Sequence, residues 1–180
     1  MSGDSLVQEP MDFSGKNFMS LDDLHKILIE TIFPGQLIGE PIFNLTEEDY
    51  ELLYKYMSMY PAESTYPYYG DKYDDNYCKF IMYGDNSNRL PGNLRLFNKV
   101  GLAYGFVIDV AYVVDFEKNI EFFLSAVIDV NLNQVYMDDN YAYDSLAFPY
   151  LADLGKAVYD YELKRSRKIL PDLKRFKFEY

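Results

Sequence analysis

Apolar residues recur at helical spacing in two stretches of the first third of the chain. In the first stretch, Ser20 and Asp23 form a pair typical of a capping box, and Pro34-Gly35 follows the last apolar position. The apolar stripe between these signals consists of Leu21, Leu24, Leu28 and Ile32. Side chains at this spacing share one helix face, so the pattern predicts an amphipathic helix.

The second stretch repeats this pattern. Thr46 and Asp49 form the capping pair, and the apolar stripe consists of Tyr50, Leu53, Tyr54 and Met57. Residues 58–73, dense in Tyr and Pro, predict an irregular segment over the surface. We expect a short helix over residues 74–83, closed by Gly84.

The second half of the chain has the composition of a β-sheet. After a polar loop at residues 84–93, β-branched and aromatic residues predict three strands, at 94–100, 106–116 and 120–130. Residues 117–119 predict a tight hairpin turn. Both faces of these strands carry apolar groups, so helices should cover at least one side of the sheet.

A last helix should begin near Ser145 or Phe148 and pack on the sheet. Its predicted inner face consists of Phe148, Leu151, Leu154, Val158 and Tyr161. Residues 171–180 then either dock or fray. The resulting fold class is α+β, with an antiparallel sheet of at least three strands flanked by helices. Residues 1–18 read as a flexible arm and residues 19–180 as one domain.

Net charge and the distribution of apolar residues argue against several classes of function. The net charge of −12 disfavours binding to nucleic acid or anionic lipid, and no apolar run approaches the ~20 residues of a membrane span. The N-terminus lacks the basic and apolar regions of a signal peptide.

With one cysteine, Cys78, and one histidine, His25, we expect no zinc site. Gly101 and Gly105 lack the phosphate-binding fingerprint, so no cofactor is expected.

One more pattern bears on metal binding. Asp129, Asn131 and Asn133 begin like a calcium-binding loop, but Gln134 stands where the sharp turn needs glycine. The sequence therefore favours a solvated turn over a metal site here.

The segment Phe97 to Gly105 contains the triplet Lys99-Val100-Gly101 on a predicted strand. This triplet, followed by a hairpin and a closing helix, resembles the C-terminal part of a serine β-lactamase/penicillin-binding-type (class A-like) hydrolase domain. Ser20 to Leu24 is similar to a helix start of that family, and Asp144 to Glu162 to its C-terminal helix. The resemblance covers roughly residues 18–180.

The resemblance implies roles for four residues. Lys99 would place positive charge at the edge of an active site, and Leu102 would offer its backbone N–H to an oxyanion hole. Val100 and Gly101 would contact substrate, Gly101 because it allows a close approach to the backbone. Val100 lacks the hydroxyl of the family's usual Thr or Ser, which puts recognition of a β-lactam carboxylate in doubt.

The nucleophile of that family is absent from this sequence. Neither Ser-x-x-Lys nor Ser-x-Asn nor Tyr-x-Asn occurs, and Ser14-Gly-Lys16 is one residue too short. We therefore expect an inactive C-terminal portion of a hydrolase. An N-terminal half-domain or a homodimer would complete its sheet, and the resemblance implies a location in the cell envelope.

A second class of function stays open. An acidic chain with 19 tyrosines also suits a non-enzymatic module that binds a basic protein, because tyrosine supplies contact area at low entropy cost.

Overall fold

The fold is built on a three-stranded antiparallel sheet. The computed structural model describes residues 6–85 and 89–180, so the first five residues of the predicted arm and residues 86–88 of the predicted loop lie outside it. The strands are β1 (Leu94–Ala103), β2 (Phe106–Asp115) and β3 (Ile120–Asp129), in the order β1-β2-β3. Helices accompany this sheet, which confirms the α+β class, and residues 117–119 form the predicted turn.

Two capped helices precede the sheet, as the apolar stripes predicted. In α1 (Leu21–Ile32), the Ser20 hydroxyl accepts a hydrogen bond from the backbone N–H of Asp23 at 3.0 Å. In α2 (Glu47–Ser58), Thr46 Oγ1 accepts from the N–H of Asp49, and the Asp49 carboxylate accepts from the N–H of Thr46. These bonds satisfy donors that a helix start leaves without partners.

Helices α1 and α2 cover one face of the sheet. The apolar side chains of this face come from both helices, from alternate positions of β1 and β2, and from the C-terminal segment. Its buried members include Leu28, Ile32, Tyr50, Tyr54, Phe97, Val110, Tyr112, Val114, Leu173 and Phe176. The predicted tail therefore docks rather than frays.

The remaining helices cover the opposite face, so the sheet is covered on both sides. Helix α4 (Phe148–Lys164) begins where the sequence predicted, and Leu151 is fully buried. The predicted inner face is wrong at Tyr161, which is 65% exposed. Gly155 and Glu162 are buried instead. The helix is thus rotated from the orientation that its apolar stripe alone indicates.

The predicted helix over residues 74–83 is wrong in extent. Only α3 (Phe80–Tyr83) has a helical assignment, and two of its residues have turn geometry, with Ile81 at φ −58°, ψ 125° and Met82 at φ 71°, ψ −28°. These dihedrals match the central residues of a type II turn. The turn persists because the Asp109 carboxylate accepts the N–H groups of Phe80 and Ile81.

Gly155 lets α4 approach this turn at close range. A Cβ atom built on Gly155 would lie 2.5 Å from the backbone N of Met82 and 2.9 Å from Ile81 Cγ2. The glycine is therefore required by packing, and it explains why this side of α4, rather than the side of Tyr161, faces inward.

Replacing Gly155 by Ala should destabilise the protein by about 2 kcal/mol, because backbone atoms must move to admit the methyl group. Helix propensity alone would favour alanine by up to about 1 kcal/mol, so the sign of the effect tests the packing. Urea unfolding measures the change. Gly15→Ala, which places its Cβ in open space, is the control and should be near neutral. A stabilised Gly155→Ala protein would contradict the close approach.

Candidate functional site

A groove of about 420 Å³ runs between the end of α2, the tyrosine-rich segment and the outer edge of β1. Tyrosine, methionine and proline side chains form most of its walls. The residues at its polar end, where β1 meets the turn before α3, are Cys78, Lys79, Asn98, Lys99 and Val100. The triplet that carries the family resemblance thus begins in this groove.

Of the four site residues that the resemblance implies, only the first two lie in the groove. Lys99 and Val100 line the groove, whereas Gly101 and Leu102 lie further along β1. Lys99 is paired with Val110 in the sheet register and is exposed. Leu102 lies opposite Val107 and is 43% exposed.

The Lys99 ammonium is uncommitted. Its one hydrogen bond within residues 6–85 and 89–180 goes to the carbonyl oxygen of the adjacent Val100, at 2.8 Å, and no carboxylate of those residues forms an ion pair with it. Successive side chains of a strand point to opposite faces of the sheet, and Val100 packs on the α4 side. Lys99 therefore points to the other face, the one that α1 and α2 cover. Its charge is available to an anion that enters the groove.

A second lysine, Lys79, lies at the bottom of the groove, and only 4% of its surface is exposed. The Lys79 ammonium donates to the carbonyl oxygens of Met57 and Leu96 and to the side-chain oxygen of Asn98, the last at 2.7 Å. An ammonium has three donors, and all three are used. This complete satisfaction is what makes the burial of a charged amine tolerable.

Asn98 connects this lysine to a buried carboxylate. Its side-chain N–H₂ donates to Asp109 at 2.8 Å and to the backbone carbonyl of Cys78 at 2.9 Å, while its oxygen accepts from Lys79. The other Asp109 oxygen accepts the N–H groups of Phe80 and Ile81. The Lys79–Asn98–Asp109 network therefore fixes residues 78–81, which lead into the turn of α3, to both β1 and β2.

Burial shifts both ionisable groups of this network toward their neutral forms. It lowers the pKa of Lys79 from 10.5 to about 8 and raises the pKa of Asp109 from 3.8 to about 6. The hydrogen bonds that Asp109 accepts and the charge of Lys79 act in the opposite direction on the Asp109 pKa but do not overcome its desolvation. Between about pH 6 and 8 both groups are charged.

Sequence reasoning missed this network. Asp109 interrupts the apolar run Phe106 to Val110, and a carboxylate inside a strand with two covered faces is a signal that it has a buried partner. The identity of that partner is not readable locally, because Lys79 is 30 residues away and its segment was expected to be helical.

His25 has a partner that the sequence did not reveal. Its Nδ1 and the Ser125 hydroxyl are 2.7 Å apart, and its ring packs edge-to-face with that of Phe123, with the ring centroids 5.9 Å apart. A serine and a histidine in contact satisfy one condition for a nucleophile and its base. No carboxylate in residues 6–85 and 89–180 hydrogen-bonds to this ring. The pair lines neither the groove beside β1 nor any of three further surface grooves. The pair joins α1 to β3.

The serine that lines the groove is not activated either. The Ser64 hydroxyl donates to the carbonyl oxygen of Pro67 at 2.7 Å, so its proton is committed to a backbone acceptor rather than to a base.

Replacing Lys79 by Met should lower the free energy of unfolding by about 3 kcal/mol, because it leaves three buried acceptors unpaired and Asp109 without a nearby cation. Urea denaturation at neutral pH measures the loss. The control, Lys118→Met, changes an exposed lysine of the β2–β3 turn and should be near neutral. Equal stabilities of the two variants would contradict the role of the network.

The stability advantage of the native chain over Lys79→Met should grow as the pH rises above about 8. The unfolded chain keeps the Lys79 proton up to about 10.5, whereas the folded chain releases it near 8, so raising the pH between these values favours the folded state. The gain should reach about 2 kcal/mol near pH 9.5. Urea unfolding of both proteins across this range tests it, and a constant difference would show that Lys79 titrates normally.

None of the helices in residues 6–85 and 89–180 has both the length and the apolar character needed to cross a bilayer. The same residues contain no cluster of three or more His, Cys, Asp or Glu side chains suited to a metal ion. No family model, curated protein or solved structure matches this chain.

Proposed function

We propose that this chain is the C-terminal portion of a serine hydrolase domain of the β-lactamase/transpeptidase-like superfamily, and that β1 forms one wall of its active site. The observation that carries the proposal is the position of Lys99. It lies on an outer strand, lines a groove and points away from the face that α4 covers.

The order and packing of the elements support the same proposal. The strand with Lys99 is followed directly by two antiparallel strands and then by a long helix that packs across the sheet. That is the arrangement which the resemblance implies for the last part of such a domain. Antiparallel meanders are common, so this order of elements is not specific by itself. It supports the proposal because the triplet that begins with Lys99 lies on the first of the three strands.

The chemistry proposed is acyl transfer to a serine supplied from outside this chain. The serine hydroxyl would pass its proton to a base of the same outside segment, and the serine oxygen would attack the carbonyl carbon of an amide or ester, so that the carbonyl oxygen becomes negatively charged. The C–N or C–O bond would then break, and the amine or alcohol that leaves would take up that proton, which leaves the acyl group on the serine. Lys99 would stabilise negative charge beside the reacting centre, and the backbone N–H of Leu102 would donate to the oxyanion. Val100 and Gly101 would contact the substrate along the strand.

The proposed N-terminal half-domain also has a place to bind. The outer edge of β3 has no strand partner among residues 6–85 and 89–180. A strand from an N-terminal half-domain, or from a second copy, would pair there and satisfy the backbone groups that an outer strand leaves free.

Covalent labelling by a fluorescent penicillin, which acylates a serine, or by a fluorophosphonate, which phosphonylates a serine with loss of fluoride, tests this function. The 180-residue chain alone should remain unlabelled, and a polypeptide that joins it to an upstream segment containing Ser-x-x-Lys should be labelled. In that joined protein, Lys99→Ala should slow labelling by about 10²-fold, because it removes charge stabilisation of the transition state.

Lys118→Ala, in the exposed β2–β3 turn, is the matched control and should leave the labelling rate unchanged. Labelling of the chain by itself, or equal rates for Lys99→Ala and Lys118→Ala in the joined protein, would overturn the proposal.

A second candidate is a non-enzymatic module that binds a basic protein. It is favoured by the net charge of −12 and by Tyr66 and Tyr68, which are 88% and 79% exposed. Its signature would be capture of one basic protein at low salt that is lost at high salt, since exposed charges are screened. Such capture with no acylation of the joined protein would favour this candidate over the hydrolase.

A further inference from the structure

A basic segment lies near the C-terminus of this acidic chain. Residues 164–177 contain seven basic residues and one acidic residue, which gives this segment a net charge of +6. The rest of the chain contains 10 basic and 28 acidic residues, which gives it a net charge of −18. Opposite charges on different parts of one molecule allow two copies of it to attract each other.

Residues 168–170 of this segment, here termed the C-terminal tip, are presented to solvent. Ile169 and Leu170 are 86% and 62% exposed, and the adjacent Lys168 is exposed as well. Lys168 forms no ion pair within the part of the chain that the structure describes. The tip therefore offers two neighbouring aliphatic side chains together with a free positive charge.

Contacts on both sides hold the C-terminal tip in position. Before the tip, the buried Glu162 carboxylate accepts hydrogen bonds from Arg165 Nε at 2.8 Å and from Arg167 Nη2 at 2.9 Å. After the tip, Leu173 and Phe176 are buried in the core between the sheet and the first two helices. Because the tip is held at both ends, a partner that binds it loses little free energy to ordering of the chain.

A cleft of complementary character, here termed the arm cleft, lies between residues 6–11 and the loop at residues 134–138. It has a volume of about 570 Å³. Its apolar lining consists of Leu6, Val7, Pro10, Met11, Val135 and Met137. The carboxylates of Glu9 and Asp138 also line it, and no Lys or Arg of the described ranges does. The arm cleft thus combines apolar surface with negative charge.

The arm cleft and the C-terminal tip lie at opposite ends of α4. The cleft is joined to the start of that helix, because the Met137 N–H donates to the Tyr141 hydroxyl at 2.8 Å and the Tyr141 and Tyr143 rings lie 5.3 Å apart. Tyr143 begins the turn that leads into α4, and the tip follows the end of α4. A helix of 17 residues spans about 25 Å. A contact between the tip and the cleft must therefore join different copies of the chain.

We propose that copies of this chain associate head to tail, with the C-terminal tip of one copy in the arm cleft of the next. Ile169 and Leu170 bury apolar surface in the cleft, and Lys168 meets its carboxylates. Because the two surfaces differ, the assembly either grows into a chain or closes into a ring. The proposal is independent of the hydrolase, since neither surface includes residues of the groove beside β1.

Sedimentation velocity of the 180-residue chain at increasing concentration tests the proposal. A contact made by one loop is smaller than a standard interface, so association should appear between about 10 µM and 1 mM and should weaken at high salt. Ile169→Asp should stay monomeric over this range, because it places a carboxylate in the apolar contact. Ile38→Asp is the matched control, since Ile38 is 65% exposed but lies outside both surfaces, and it should associate as the native chain does.

Charge exchange tests whether the tip and the cleft meet each other. Lys168→Glu and Glu9→Lys should each weaken self-association by about 10-fold, because each places like charges in the contact. An equimolar mixture of these two variants should associate with native affinity, since one variant keeps an intact cleft and the other keeps an intact tip. Circular dichroism and melting temperatures verify that each variant is folded.

Several outcomes would overturn the proposal. A native chain that stays monomeric at about 1 mM would do so. Association that survives in Ile169→Asp, as pairing through the outer edge of β3 would, or a mixture no tighter than its components, would also do so. A monomeric chain that binds vesicles of anionic lipid through Ile169 would assign the tip to a membrane surface instead. Labelling of the joined protein addresses the groove beside β1 alone, so either proposal can fail without the other.

Discussion

The burial of the Lys79 ammonium is the interaction on which the arrangement of the groove depends. Its three donors reach the end of α2 and two positions of β1, so one charged group holds a helix, a turn and a strand together. A buried ion is stabilising only when every donor has an acceptor, and here each of them has. The geometry of the groove is thus set by a polar network in an otherwise apolar core.

Asn98 carries this constraint to the centre of the sheet. Because it bonds to Lys79 on one side and to Asp109 on the other, β1 and β2 cannot shift in register without breaking both bonds. Lys99 is the next residue along β1, and its position at the edge of the groove follows from the register that Asn98 fixes. The buried network and the exposed lysine are therefore linked through one strand.

Local signals predicted most of the fold. The pairs Ser20–Asp23 and Thr46–Asp49 located both helix starts, because capping is decided within four residues. The strands were equally readable from β-branched and aromatic runs. The exposed position of Tyr161 was not predictable, since the rotation of α4 depends on how Gly155 meets Met82, a contact between segments far apart in sequence.

The candidate site was only partly predictable for the same reason. Lys99 was identified through a short triplet, and the structure places it in a groove. Lys79 was missed, because it acquires its role from residues that are distant along the chain. A segment rich in Tyr and Pro reads as irregular surface, and nothing local indicates that its rings line the same groove as Lys99.

The connections of the sheet have a consequence for how the chain folds. Its three strands follow one another directly, joined by Tyr104–Gly105 and by the short turn after Asp115. Contacts between neighbours in sequence close small loops, which costs little chain entropy and favours rapid assembly. The sheet can therefore form early, while the bonds of Lys79 require segments from the first half to arrive. On this basis the groove is among the last parts of the molecule to take shape.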